Sequence, residues 1–484
     1  MKRKLVVLMI LVSMIIPSVT IDFHSNARNE LPAQTALSGE PDTVTIVVHV
    51  MRERCLSLND QAVYFTILID GVNSMWWNQT FTGCDNEIEW PMAYHEVDYE
   101  EGKEIPIQIS LWKQGPISTP CDISGAEGDY AYGKTLTIFY NLTTGEWYGD
   151  DYLGDPSGYG HCSGFEDGNY DEDDYEIWFD IYEATEGWGE DRLTYWDKLA
   201  YGLNASREYG DLDLDGDGIP CDWEDKYGYN PVVAEDHASL DPDNDGLDNV
   251  EEWKTSEWHS DPFAQDVFVE VDGMKAKHPW QDDYMLPRES QYMIMNEFIK
   301  HNISLHFDDG NMGGGGDLIP YDDKMWGDEL EAARLKYFLN GDPDNWRRGV
   351  FHYGLICCQM GWYGRPAGGR MFYIDSCCVG AQYVRNWLPL MRLQGSDYTT
   401  AIASVFMHEL GHTLGLFDFE GIDNEKTRFP WNKEFWEWGP YKSCMNYRYV
   451  YKYVGYSDGD DPDHDQNDWA VIKERMSRFQ GDWW

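Results

Sequence analysis

Short runs of alternating apolar and polar residues dominate the chain from Thr43 to about residue 185. Val44-Thr-Ile-Val-Val-His-Val, Val63-Tyr-Phe-Thr-Ile-Leu-Ile, Ile105-Pro-Ile-Gln-Ile-Ser-Leu-Trp, Thr135-Leu-Thr-Ile-Phe-Tyr and Glu176-Ile-Trp-Phe-Asp-Ile are β-rich segments separated by Gly, Asn and Asp turns. No long helical pattern intervenes, so residues 42–185 are predicted to form an antiparallel β-sandwich. Residues 186–262 read as a connector with a short helix around Leu193 to Leu203. From 263 to 484 the period changes repeatedly between two and 3.6. Strands are predicted at Asp266–Asp272, Ile303–Phe307, Gly349–Ile356 and Met371–Ile374, and helices at Glu289–Lys300 and Glu329–Leu339. A further helix begins at Tyr398, with Ala401, Val405 and Leu410 on its buried side. Strands interleaved with helices predict an α/β or α+β domain.

The beginning of the chain has a different character. Lys2, Arg3 and Lys4 precede an apolar run from Leu5 to Ile16, then Pro17 and small or polar residues. That order predicts a secretory signal peptide over 1–27, followed by a polar linker over 28–41. A soluble, secreted, extracellular protein with no membrane anchor after cleavage is the expectation. Ten cysteines suit an oxidising compartment and disulfides, and no C-x-x-C spacing favours a thiolate metal site. Pairing within the groups Cys55, Cys84, Cys121, Cys162 and Cys357, Cys358, Cys377, Cys378 is the simplest arrangement, leaving Cys221 and Cys444. Four sequons begin at Asn78, Asn141, Asn204 and Asn302. The formal net charge of −51 argues against nucleic acid as a partner, because phosphates would be repelled.

Acidity becomes specific in the connector. Asp213, Asp215 and Asp217 stand at the first, third and fifth positions of a loop with Gly218 at the sixth and Glu224 at the twelfth. With the Ile219 carbonyl at the seventh, these are the oxygen donors of a helix-flanked calcium loop. Twenty-eight residues later the pattern returns as Asp241, Asp243, Asp245, Gly246, Leu247, Asn249 and Glu252. Two complete matches in tandem predict two Ca²⁺ sites. The loop from Glu166 to Glu176 is acidic too, and reads as a solvated loop or a third calcium loop. The stretch Asp308–Asp317 lacks a phosphate-binding lysine and reads as a calcium loop or, by preference, a flexible one.

The strongest chemical signal is Met407-His-Glu-Leu-Gly-His-Thr-Leu-Gly-Leu-Phe-Asp418. On a helix His408 and His412 lie one turn apart on one face, where two imidazole nitrogens suit Zn²⁺ and Glu409 can reach a metal-bound water. Gly415 would end the helix in a left-handed turn and swing Asp418 back as a third, carboxylate ligand.

Downstream, Ser443-Cys-Met445-Asn-Tyr447 completes a pattern that resembles the metzincin superfamily of zinc peptidases, with Asp418 in the manner of the snapalysin-type minority. The resemblance implies zinc on His408, His412 and Asp418, with Glu409 as general base and Met445 as a floor beneath the metal. It implies a catalytic role for Tyr447 at the metal or at the tetrahedral intermediate, and an edge strand at Gly369–Asp375 that holds an extended peptide. The connector pair resembles the aspartate-rich, thrombospondin-type-3-like calcium repeats, with Tyr227–Pro231 and Ser260–Pro262 as their tails. The sandwich loosely resembles a C2 domain. Together these imply a secreted, calcium-stabilised zinc endopeptidase whose partner is a protein or peptide substrate. The competing expectation is a calcium-dependent adhesive or carbohydrate-binding surface protein, in which the sandwich binds a cell-surface or glycan ligand and the peptidase domain is vestigial.

Overall fold

In the computed structural model the described residues are 42–56, 61–76, 79–125, 134–150, 159–167, 173–184, 193–362, 365–461 and 463–479. The signal peptide, the linker, Asn78 and residues 168–172 of the Glu166–Glu176 loop lie outside them.

Two antiparallel sheets form the N-terminal sandwich. In one, Tyr175–Ala184 lies between Tyr159–Ser163 and the long strand Thr43–Cys55, whose other edge takes Asp85–Glu87 and Ala93–Asp98. The other runs Val72–Asn73, Val63–Ile69, Glu104–Lys113, Leu136–Asn141 and Trp147–Gly149 in that spatial order. Strict alternation of buried and half-buried positions in Val63–Ile69 and Leu136–Asn141 is the physical form of the period-two pattern. The buried sides supply Ile46, Val48, Phe65, Ile67, Ile107, Ile138 and Ile177 to one core. Cys55 and Cys84 are disulfide-bonded, while Cys121 and Cys162 are buried thiols.

The connector contains Tyr195–Ala200, whose Thr194 cap shares reciprocal bonds with Asp197, and two further short helices, Cys221–Lys226 and Asn249–Thr255. Cys221 donates toward the Leu212 carbonyl and is buried here, and Cys444 is buried in the C-terminal core, so the two do not pair.

The C-terminal sheet has the order Ser304–Asp308, Asp266–Met274, Phe351–Cys357, Ser376–Gly380, Gly369–Tyr373. The first four strands are parallel and the last is an antiparallel edge. Every residue of Asp266–Met274 and Phe351–Cys357 is buried, the mark of parallel strands covered on both faces. Helices Arg288–Ile299 and Tyr398–Thr413 pack against each other and against this sheet. One strand, Ser376–Gly380, and one helix, Ala381–Arg392, stand between the edge strand and the motif helix, where the sequence pattern puts the two in direct succession. Ser-Cys-Cys-Val-Gly is too short and too sulfur-rich to show a strand period. The Gly-rich stretch after Asp308 is tied rather than loose: the Asp308 carboxylate accepts from the Gly310, Met312 and Gly314 amides and pairs with Arg347 at 2.5 Å.

Candidate metal centre and active-site cleft

The motif helix begins at Asp397, whose side chain accepts from the Thr400 amide. Phe406, Met407 and Leu410 are fully buried, each worth about 1.5–3 kcal/mol of burial, and they fix the helix's rotation against the sheet. That rotation points both motif histidines into one cleft. His408 donates from Nδ1 to the Cys444 carbonyl at 2.9 Å, and His412 from Nδ1 to the Leu416 carbonyl at 2.7 Å. Each carbonyl bond turns Nε2 into the cleft, the nitrogen that a metal would take once its proton has left.

The third member of the set is Asp423. Its two oxygens lie 3.0 Å from His408 Nε2 and 3.3 Å from His412 Nε2. The donor atoms of His408, His412 and Asp423 all fall within 4.8 Å of one another. Asp418, the expected third ligand, is not there. Its side chain is 76% exposed and receives Arg475 Nη2 at 3.2 Å. Gly415 does adopt the left-handed conformation, at φ 96°. The turn it makes spends the Leu416 carbonyl on His412 and lays Phe417 parallel to the imidazole, which sends Asp418 outward to the C-terminal helix Asp468–Phe479. The chain returns five residues later. Asp423 takes a left-handed φ of 53°, tolerated best by Asn, Asp and Gly, and its amide donates to the Met445 carbonyl at 3.2 Å.

Glu409 is buried beside the pair, and burial pushes its carboxyl above the ordinary range while the two histidines oppose the shift. Gly369 of the edge strand lies against it; a β-carbon there would approach Glu409 Cγ to 2.5 Å. Burial lowers the affinity of His408 for a proton, but the Asp423 hydrogen bond and the Glu409 charge outweigh it and raise the value to about 9. Burial acts to raise Asp423, yet the hydrogen bonds from both histidines hold it far below the usual carboxylate range. Both directions follow from the contact between the two histidines and Asp423. Two neutral imidazoles and one carboxylate fit zinc, and metal binding would displace the His408 proton.

Met445 is fully buried beneath the helix, so close to Gly411 that a β-carbon there would meet Sδ at 2.7 Å. Tyr447 stacks on His408 at 5.7 Å, carries the Arg428 guanidinium over its ring at 4.7 Å, and hydrogen-bonds to Asp423. Burial and the Asp423 charge push its phenol well above the usual value, so it stays a neutral donor. The cleft in front of these groups encloses about 850 Å³ and is walled by the edge strand on one side and by Tyr447 and Tyr451 on the other.

Both connector loops have the predicted form. Asp213 accepts from Gly216 and Gly218, and Asp241 from Gly246, while Asp217 and Asp245 accept from Ile219 and Leu247. The sixth-position glycines are left-handed, at φ 105° and 100°. Asp213, Asp215 and Asp217 converge, as do Asp241, Asp243 and Asp245. Glu224 and Glu252 are buried, and Glu224 Oε1 and Oε2, Glu252 Oε1, Asp215 Oδ2, Asp241 Oδ1 and Asp243 Oδ2 have no hydrogen-bond partner. Burial, reinforced by neighbouring aspartates, pushes Glu224 up to about 8 and raises Asp243 and Asp245 well above the usual carboxylate range. Orphaned buried carboxylate oxygens in an all-oxygen loop fit calcium. Asn249 places Nδ2 3.0 Å from His237 Nδ1, and its Oδ1 has no partner. The sequence pattern does not reveal His237 and Asp266: His237 joins Asp217 and Glu224, and Asp266 joins Asp245 and Glu252. Both stand far from their loops in sequence, beyond the reach of a spacing template.

No family model matches the chain, and no curated protein matches it. Among solved structures it is similar to human GIVD cytosolic phospholipase A2, at 9% identity and a TM-score of 0.17, over 31% of this chain and 18% of that one. It is similar also to a C2 domain of plant extended synaptotagmin 1, at 10% identity and a TM-score of 0.16, over 31% of this chain and all of the domain. The match thus spans less than a fifth of the phospholipase. No helix among the described residues is long and apolar enough to cross a membrane.

Proposed function

We propose that the chain is a secreted zinc-dependent endopeptidase, of the metzincin kind its motifs resemble, stabilised by calcium in the connector. The observation that carries this reading is the convergence of His408 Nε2 and His412 Nε2 on the Asp423 carboxylate, with Glu409 buried alongside and an edge strand lining the same cleft. His408, His412 and Asp423 would hold the zinc. When bound, the metal supplies Lewis acidity toward a substrate carbonyl and makes a water easier to deprotonate.

The chain's own groups do the rest. Gly369–Tyr373 pairs only with Ser376–Gly380 among the described strands, so its outer main-chain groups can take an extended peptide as an added antiparallel strand. Glu409, buried beside the two histidines, accepts a proton from the attacking water and passes it to the departing amine. Cys444 and Leu416 carbonyls hold the imidazoles in one tautomer throughout, and Tyr447 positions Asp423.

The test is hydrolysis of unfolded casein by the full chain supplied with zinc and calcium, beside Glu409→Ala. Cleavage by the first and its loss in the second support the reading. If both are inert while zinc is bound, the adhesive alternative takes its place.

A further inference from the structure

Each connector loop is closed by a residue outside its template, and the two closing residues occupy nearly the same place in the repeat. His237 comes twenty-four residues after Asp213, and Asp266 twenty-five after Asp241. In the first repeat the closing residue still belongs to the connector. In the second it is the first residue of Asp266–Met274, the strand between Ser304–Asp308 and Phe351–Cys357 in the C-terminal sheet.

Asp245, Glu252 and Asp266 are 0%, 1% and 0% exposed, with donor oxygens within 4.8 Å of one another. Glu252 Oε1 is buried with no hydrogen-bond partner, and Ser260 Oγ donates to its other oxygen. Asp266 is oriented from three sides. His306 Nε2 lies 2.6 Å from Oδ1, the Asp261 amide donates to Oδ2 at 3.0 Å, and its own amide donates to Asp245 Oδ2 at 2.7 Å. Gln265 reaches back to the Asp243 carbonyl. Even a charged His306 leaves one cation facing three buried carboxylates, an imbalance that a divalent ion resolves.

We infer that Asp266 is a ligand of the second calcium ion, so that one cation fastens the connector to an inner strand of the sheet that carries the active-site cleft. This rests on the calcium reading of the loops. Asp245 belongs both to the loop set Asp241, Asp243, Asp245 and to the set with Glu252 and Asp266, so a single ion can draw on both. The consequence is a division of labour: the first site shapes the connector alone, and the second joins two domains. Occupancy of the second site orders the start of Asp266–Met274 and its pairing with Ser304–Asp308, where Val267 faces Leu305 in register.

Two experiments on the full chain decide it. Calcium is counted and its affinity measured by titration into chelator-stripped protein, for the natural chain, Asp266→Asn and Glu224→Gln. The expected result is two ions in the natural chain, a loss of affinity on the order of tenfold to a hundredfold at one site in Asp266→Asn with the other unchanged, and the converse site lost in Glu224→Gln. Two ions of unaltered affinity in Asp266→Asn would overturn the clamp and leave the calcium loops standing. No calcium bound by the natural chain would overturn the loops, and the clamp with them. Hydrogen exchange on the natural chain covers the case in which Asp266→Asn does not fold. Added calcium should slow exchange at residues 267–270 as well as 241–252; protection confined to 241–252 would refute the clamp.

Discussion

The difference between Asp418 and Asp423 shows what residue spacing can and cannot decide. His408, Glu409 and His412 were legible because a helix fixes their mutual geometry within one turn. Past Gly415 no such rule holds, and the outcome depends on which side chain captures which. Arg475, sixty residues away in sequence, donates to the Gly415 carbonyl and to Asp418, and so removes Asp418 from the cleft. The only local hint toward Asp423 is the Asp-Asn pair at 423–424, residues that favour a left-handed turn. The tight wall behind Glu409 gives a prediction at this scale. Gly369→Ala should displace the carboxylate and lower kcat by about a hundredfold while zinc content stays unchanged, read by steady-state peptide hydrolysis and metal analysis of the same sample. Full activity in that variant would mean Glu409 is not held where the reaction needs it.

Elements were more legible than their connections. The alternating runs marked the principal sandwich strands, and the buried runs marked the parallel ones, because each period follows directly from which faces are covered. Ser376–Gly380 and Ala381–Arg392 were missed, the first too short to show a period and the second carrying Pro389 within the helix. Contacts between domains were not legible at all. Arg54, at the end of the long sandwich strand, is buried between Glu176 at 2.9 Å and Asp309 at 2.5 Å, the latter from the C-terminal domain. Arg54→Met removes the guanidinium shared by the two carboxylates, leaving Glu176 to His161 and Tyr292 and Asp309 to Arg288 at 3.6 Å, and should cost about 3 kcal/mol, measured by chemical denaturation. Burial is the largest influence and tends to raise both acids, but Arg54 together with His161 and Tyr292 at Glu176, and with Arg288 and Gln291 at Asp309, holds both below their ordinary values. A depressed acid contributes stability that is complete above its unfolded value and is lost as pH falls through the folded one. The contact should therefore hold from pH 7 to about 5 and weaken only below about 4, as followed by limited proteolysis across a pH series. Loosening already at pH 6 would contradict the pairing.

At the scale of the whole molecule, the proposal gives two kinds of candidate metal site two ends: histidine and carboxylate donors in the cleft, and mainly carboxylates in the connector. EDTA should therefore lower both activity and melting temperature. Calcium alone should restore the melting temperature, and zinc should be required in addition for activity; recovery of hydrolysis with calcium alone would remove the zinc reading. The central claim is that His408, His412 and Asp423 form the zinc site, and it is tested most directly by zinc content. Mass-spectrometric metal analysis of the dialysed chain should find one zinc per molecule in the natural protein and in Asp418→Ala, and little in Asp423→Ala. Zinc retained by Asp423→Ala and lost from Asp418→Ala would contradict it.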